Sequence, residues 1–223
     1  MSSKDLTRAK RIVVKVGSNV LTTRSSLNTA VIDALTRQIC RLIDDGRQVL
    51  LVSSGAMAAG MKTLRLDRRP ESIPKRQAIA AVGQSGLMHT YEQEFGRYGK
   101  HVAQILLTAE DLNIRKRYLN ARNALNTLLA WQVVPIINEN DTIMVEEIKL
   151  GDNDNLSAMI ALLMDADLLI NLTDIGGLFT KDPRTEADAA LIPEVTTIGK
   201  RIESYAGGIA GALGTGGMQS KIR

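Results

Sequence analysis

The sequence predicts an α/β protein, built on a mainly parallel open sheet with helices on both faces in a three-layer α/β/α arrangement. Three observations carry this. The chain opens with a β-branched apolar run, a helical pattern and a second apolar run, which is the βαβ signature of parallel strands joined by a crossover helix. Five such strand-like runs are spread along the chain, with helical patterns between them. Each run ends on small or polar residues, at Gly17-Ser18, Ser54-Gly55, Thr108, Asn138 to Asp141 and Thr173-Asp174.

Taken in order, Ile12, Val13, Val14, Lys15 and Val16 form the first strand, with a tight turn at Gly17, Ser18 and Asn19. Residues 29–45 carry Val31, Ile32, Leu35, Ile39, Leu42 and Ile43 at helical spacing, with Gly46 as the residue just past the helix. Residues 49–52 form the second strand. A loop around Pro70 and Pro74 leads to a long helix over 75–98, which Gly83 and Gly86 weaken unless they mark close packing of another backbone. Residues 101–107 are the third strand and 115–131 an unbroken helix. Residues 133–137 are the fourth strand, where Pro135 conflicts with a central position because it has no N–H to donate. Residues 142–148 suit a small hairpin, 155–164 a helix, 167–172 the fifth strand and 198–205 a short helix. A glycine-rich stretch over 207–217 precedes the start of a last helix at 218–223.

The totals bound the function. The 223 residues are 44% hydrophobic and 23% charged, which suits one globular domain with a real core. Only 3% are aromatic, so that core must be built mainly from Ala, Val, Ile and Leu. The net charge of +4 fits anionic substrates. The basic residues near Pro70 and Pro74 lack interleaved aromatics and read as a solvated loop rather than a nucleic-acid surface. The first apolar run is short and interrupted by Lys15, so neither a signal peptide nor a membrane span is expected, and a cytoplasmic location is the default. The single cysteine, Cys40, lies in a helical apolar pattern as a small core residue.

In an open parallel sheet the binding crevice lies beyond the carboxyl ends of the strands. The densest polar stretch of the chain, 138–158, falls there. Asn138, Glu139, Asn140 and Asp141 close the fourth strand, and Gly151 to Asn155 open a helix. Turn and cap chemistry accounts for either cluster alone; the two together, with glycine turns at the same edge, point to a small polar ligand. Gly17-Ser18, Ser54-Gly55 and Gly214 to Gly217 can bring backbone N–H groups close to an anion. None matches a P-loop or a dinucleotide fingerprint. Lys15 interrupts an apolar strand, where an ammonium needs a partner unless it is an edge or snorkelling lysine. Lys221, one helical turn past the last glycine loop, is either a second cation for the same phosphates or a solvated residue. Asp152 and Asp154 suit lysines, a magnesium hydrate or a substrate ammonium. His89 and His101 are isolated, so a His/Cys metal cluster or a Ser/His/Asp triad has no support.

Together, VVKVGSNVLT, VSSGAMAAG, INENDTI, GDNDNLSA, LLINLTDIGGLFTKDPR and GTGGMQSKI closely resemble the glutamate 5-kinase branch of the amino acid kinase superfamily, from about Ile12 to Arg223. INEND and GDNDNLSA separate this branch from the carbamate, uridylate and acetylglutamate kinases. The resemblance implies an amino acid kinase-like fold and transfer of the γ-phosphoryl group of ATP to the side-chain carboxylate of L-glutamate, the first step of proline synthesis. It implies catalytic roles for Lys15, Lys221 and Asp154, with Asp154 orienting the two lysines. Ser54, Asp141 and Asn153 would bind glutamate. Lys15, Gly17, Ser18, Thr173, Asp174, Thr215, Gly216, Gly217, Met218, Gln219, Ser220 and Lys221 would line ATP. Magnesium would travel on the nucleotide, with no protein-held metal. A homo-oligomer and feedback by proline are implied, and neither a nucleic acid nor a membrane.

Members of this family continue past the position of Arg223, and many then carry a PUA domain. The expectation is therefore one amino acid kinase domain over 1–223, truncated at its C-terminal end and without a PUA domain. Two other readings stay open on the sequence: a non-catalytic glutamate- or proline-binding fragment, and a sister kinase acting on another carboxylate or phosphate.

Overall fold

The computed structural model describes residues 3–23, 27–143 and 153–205. A 3-10 turn precedes β1 (Arg11–Val16), α1 (Ser18–Leu21), α2 (Thr29–Asp44), β2 (Gln48–Ser53), α3 (Ala56–Thr63) and α4 (Ile73–Gly96). Then come β3 (Val102–Leu107), α5 (Ala109–Asn113), α6 (Arg115–Ala130), β4 (Val134–Glu139), α7 (Asn153–Leu163), β5 (Leu168–Leu172) and α8 (Lys200–Tyr205). The strands form one all-parallel sheet in the order β3-β4-β2-β1-β5. All five expected strands are present, and α2 ends just before Gly46 as its pattern requires.

The alternation of side chains along each strand divides the core into two layers. Ile12, Val14, Val16, Val49, Leu51, Val134 and Ile136 pack with α2 and α4, against Ile32, Ile39, Leu87, Tyr91 and Phe95. Val13, Leu50, Val52 and Ile137 pack on the other face with Leu125 of α6 and Leu156, Ile160 and Leu163 of α7. Fully burying one such aliphatic side chain contributes roughly 1.5–3 kcal/mol, so both layers are needed to hold the sheet. Lys15 shares the parity of Val13 and therefore faces the α7 layer.

Three differences from the sequence reading matter. The stretch expected as loop after β2 contains α3, and α4 starts at Ile73 with Pro74 in its first turn, where a missing N–H costs nothing. Gly83 is not a weak point of α4: an ideal Cβ there would lie 1.8 Å from the Ala56 carbonyl oxygen and 2.2 Å from the Gly60 nitrogen, while one on Gly60 would lie 1.9 Å from the Ile79 oxygen. The two helices thus cross backbone to backbone, as that glycine suggested; Gly86 has open space around it. Third, β4 is an inner strand despite Pro135. Its pairing with β2 is confined to Ile136 and Ile137, one residue past the proline, while six residues pair with β3. Short helices α1 and α5 were also unforeseen; α5 is held by a capping box in which Thr108 Oγ1 accepts from the Asp111 N–H at 3.3 Å and Asp111 Oδ2 accepts from the Thr108 N–H at 2.8 Å. Most of the expected hairpin at 142–148, the glycine-rich stretch and the final helix lie outside the described residues.

Candidate active site

The strand ends on which the sequence reading centred converge at one edge. The Gly17 N–H donates to the Leu172 oxygen at 3.3 Å, and the Ser54 N–H donates to the Val16 oxygen at 3.2 Å, so the ends of β5, β1 and β2 are tied side by side. Lys15 and Asp154 meet above them as an ion pair, with only 4% and 3% of each residue exposed. Because β1 lies between β2 and β5, Lys15 is neither an edge nor a snorkelling lysine. Its ammonium runs toward the strand end: a Cβ on Gly17 would sit 3.6 Å from Lys15 Nζ. Gly17 thus leaves open the side from which an anion would approach that charge. Removing two ions from water is costly, and a contact at this depth persists only because each charge answers the other.

Asp154 occupies the first turn of α7, and its neighbour Asn153 serves a second cluster. Asn153 Nδ2 donates to the Ser53 carbonyl oxygen at 2.9 Å, lies 2.8 Å from Ser54 Oγ and 3.0 Å from Asn138 Oδ1. Asn138 accepts the Glu139 N–H at 2.9 Å through the same oxygen and donates through Nδ2 to Gln84 Oε1 at 2.9 Å. Beneath them, Ser53 Oγ and the Tyr91 hydroxyl are 2.8 Å apart and buried, and burial pushes the Tyr91 hydroxyl far above its ordinary range, the bond to Ser53 offsetting only part. Asp141 is half-buried just past β4; burial raises its carboxyl, partly countered by the positive charge of Arg69.

On the β5 side, Asp174 Oδ2 accepts from Asn19 Nδ2 at 3.0 Å and Oδ1 from Thr173 Oγ1 at 3.2 Å. Burial pushes this carboxyl up, but the bonds from Asn19, its own backbone and Thr173 prevail and hold it below the ordinary carboxylate value. Ser18 opens α1 beside them. The arrangement therefore has a cation–carboxylate pair in the middle, amides toward β4 and hydroxyl and carboxyl groups toward β5. Two sub-sites flanking one buried lysine can hold a phosphoryl donor and an acceptor on opposite sides of the charge that develops between them.

Lys15, Gly17 and Ser18 lie at the end of β1, Ser54 at that of β2, Asp141 just past β4, Thr173 and Asp174 just past β5, and Asn153 and Asp154 in the first turn of α7. Thr215, Gly216, Gly217, Met218, Gln219, Ser220 and Lys221 lie outside the described residues. Sequence reasoning gave no role to Asn19 or Gln84 and left Asn138 undivided from its cluster. For Gln84 a signal was present: it is the polar member of the buried helical stripe Ile79, Ala80, Gly83, Gln84, Leu87, Tyr91 and Phe95. Among the described residues no group of three His, Cys, Asp or Glu could hold a metal ion, and no helix is long and apolar enough to cross a membrane.

The site thus stands on an all-parallel α/β sheet with a buried lysine–carboxylate pair at its carboxyl edge. Residues 10–223 match the amino acid kinase family, and the chain belongs to that family. Among curated relatives, it is 53% identical over 223 residues to the glutamate 5-kinase of Geobacter sulfurreducens, covering all of this chain and 60% of that one. It is 52% identical over 219 residues to the glutamate 5-kinase of Moorella thermoacetica, covering 98% of this chain and 58% of that one. The chain thus spans about 60% of the length of the curated relatives it matches. In fold it is similar to the isopentenyl phosphate kinase of T. acidophilum, solved as a product complex, with a TM-score of 0.58 over 82% of this chain and 78% of that one at 18% identity.

Proposed function

We propose that these residues form the catalytic domain of an ATP-dependent glutamate 5-kinase, which makes L-glutamyl 5-phosphate and so begins proline synthesis. One observation carries the reading: Asn153 and Asp154, adjacent in the first turn of α7, face an amide cluster and a buried lysine respectively. One helix start thereby addresses both substrates. The glutamate 5-kinase relatives supply the chemical identity of the acceptor.

In this reading a γ-carboxylate oxygen of glutamate attacks the γ-phosphorus of ATP, the bond to the β,γ-bridging oxygen breaks, and ADP leaves with that electron pair. The acceptor is already ionised at neutral pH, so no general base is required. The protein's work is positioning and charge stabilisation. Lys15, held by Asp154, meets the transferring oxygens; at an effective dielectric near 20, a unit pair at 4 Å is worth roughly 4 kcal/mol. Ser54, Asn153 and Asp141 hold glutamate. Gly17, Ser18, Thr173 and Asp174, with residues 215–221, hold the nucleotide, and Lys221 is the second cation. Magnesium is assigned to the nucleotide phosphates, and no step is routed through it. Self-association, feedback by proline and a cytoplasmic location belong to the same proposal.

The test is acyl phosphate formation from glutamate, ATP and magnesium by the protein that carries this chain, trapped as hydroxamate. Glutamate-dependent hydroxamate is expected. Its absence from folded protein, or equal product with another carboxylate, overturns the assignment.

A further inference from the structure

The amide cluster has a direction, and two backbone groups set it. The Ser53 carbonyl can only accept, so the Asn153 atom 2.9 Å from it must be Nδ2, and Oδ1 must face the other way. The Glu139 N–H can only donate, so the Asn138 atom 2.9 Å from it must be Oδ1, and Nδ2 faces Gln84 Oε1. The chain Gln84–Asn138–Asn153 is therefore fixed in orientation without reference to any ligand. All three residues are at least nine-tenths buried, with 8%, 3% and 9% exposed. At its upper end Asn153 Oδ1 is buried with no hydrogen-bond partner among the described residues. It is a buried acceptor on the side of the amide that faces away from Ser53, left to receive a donor from a ligand.

We propose that Gln84 is a positioning residue for acceptor specificity: by accepting from Asn138 it holds the amide chain that presents Asn153 Oδ1 to the ammonium group of the acceptor amino acid. This rests on the reading that Asn153 holds the acceptor. Gln84 acts from a helix that cannot drift, because Gly83 beside it lies in backbone contact with α3, which begins just after Ser54 and Gly55. Without an acceptor at 84, Asn138 Nδ2 becomes a buried donor with no partner. The Asn138 amide, then held through Oδ1 alone, can tilt to find one, and the Asn153 amide bonded to that oxygen shifts with it.

The experiment compares the wild-type protein with Gln84→Met, which keeps length and volume without hydrogen bonding, and Gln84→Glu, which keeps an acceptor oxygen. The readouts are KM for glutamate, KM for ATP and the inhibition constant of glutarate, which lacks the ammonium. For Gln84→Met the KM for glutamate is expected to rise about tenfold, the scale of one buried hydrogen bond lost with its partner stranded. The KM for ATP and the glutarate constant stay at wild-type values. Gln84→Glu restores the KM for glutamate to within about threefold of wild type. Equal weakening of glutamate and glutarate, an unchanged KM in Gln84→Met, or a Gln84→Glu KM as high as that of Gln84→Met each overturns the proposal. Should Gln84→Met fail to fold, Gln84→Leu takes its place, with the same expected and overturning outcomes. A wild-type protein that does not use glutamate overturns the functional reading itself, and this inference with it.

Discussion

Two acidic residues of the site, Asp154 and Asp141, are tuned in different ways. Asp154 is matched to Lys15 in a buried pair, and truncating either partner leaves the other charge buried, a change that typically costs about 3–5 kcal/mol. Lys15→Ala therefore lowers stability, and in the protein that still folds it lowers turnover by roughly 10²–10³, the scale of one preorganised electrostatic group. Steady-state hydroxamate rates on variants checked by thermal melting test this, and turnover near wild type removes Lys15 from the chemistry. Asp141 is governed by burial instead, which raises its carboxyl despite the opposing charge of Arg69. A raised carboxyl contributes stability below its unfolded value and loses it as pH rises through the folded one. Above that folded value the contribution is gone, whereas an amide in its place would be neutral throughout. Asp141→Asn is thus expected to gain melting temperature relative to wild type as pH rises from acid, with the gain vanishing in acid. Its KM for glutamate is expected to rise on the order of tenfold, the scale of one charged hydrogen bond. A melting difference between variant and wild type that does not grow as pH rises refutes the electrostatic part, and an unchanged KM refutes the binding part.

At the scale of elements, the site depends on the α3–α4 crossing more than on any loop. Gly83→Ala would drive a methyl into the Ala56 carbonyl at 1.8 Å, and that atom is backbone, so a helix must move rather than a side chain. Overpacking of this kind typically costs about 1–3 kcal/mol, and with backbone on both sides the upper end applies. Since Ser54 precedes α3 and Gln84 follows Gly83, glutamate binding weakens along with stability, whereas Gly86→Ala, with open space around it, is expected to leave both intact. Melting and glutamate titration of the two variants side by side decide the matter; equal behaviour sinks the crossing argument. These helices also show what the sequence could reveal. Strands such as Val49 to Val52 were legible because an unbroken apolar run has few other uses. The crevice was legible because Gly17, Ser54, Asn138 and Thr173 punctuate strand ends. Helix α3 was not, because Gly55 and Gly60 look like turn signals when Gly83, which packs against Gly60, is more than twenty residues away. The amide chain was not, because Gln84 meets Asn138 across 54 positions.

At the scale of the molecule, the two core layers close on opposite faces of one sheet, and Cys40 reports on the one under α2 and α4. It is packed between α2 and the sheet at 1% exposure and is the single cysteine of these 223 residues, so their thiol signal belongs to it. Burial is the main force raising its thiol to about 11 from an ordinary 9.0; the charge of Lys100 opposes the shift and Asp44 adds to it. Both access and ionisation are therefore withheld in the folded state. Native protein at pH 8 is expected to resist a thiol reagent, and labelling under denaturant should follow the unfolded fraction seen by circular dichroism. The sign of the pH effect is also fixed. A thiol whose folded value is raised stabilises fully below the unfolded value and loses that contribution as pH climbs through the folded one. Stability should thus decline between pH 9.0 and about 11 beyond what the tyrosines cause, and Cys40→Ala should remove that part of the decline while opening a small cavity of its own. Rapid labelling of the native protein at pH 8, or an alkaline profile identical in Cys40→Ala, would mean that the layer under α2 opens without the rest of the sheet.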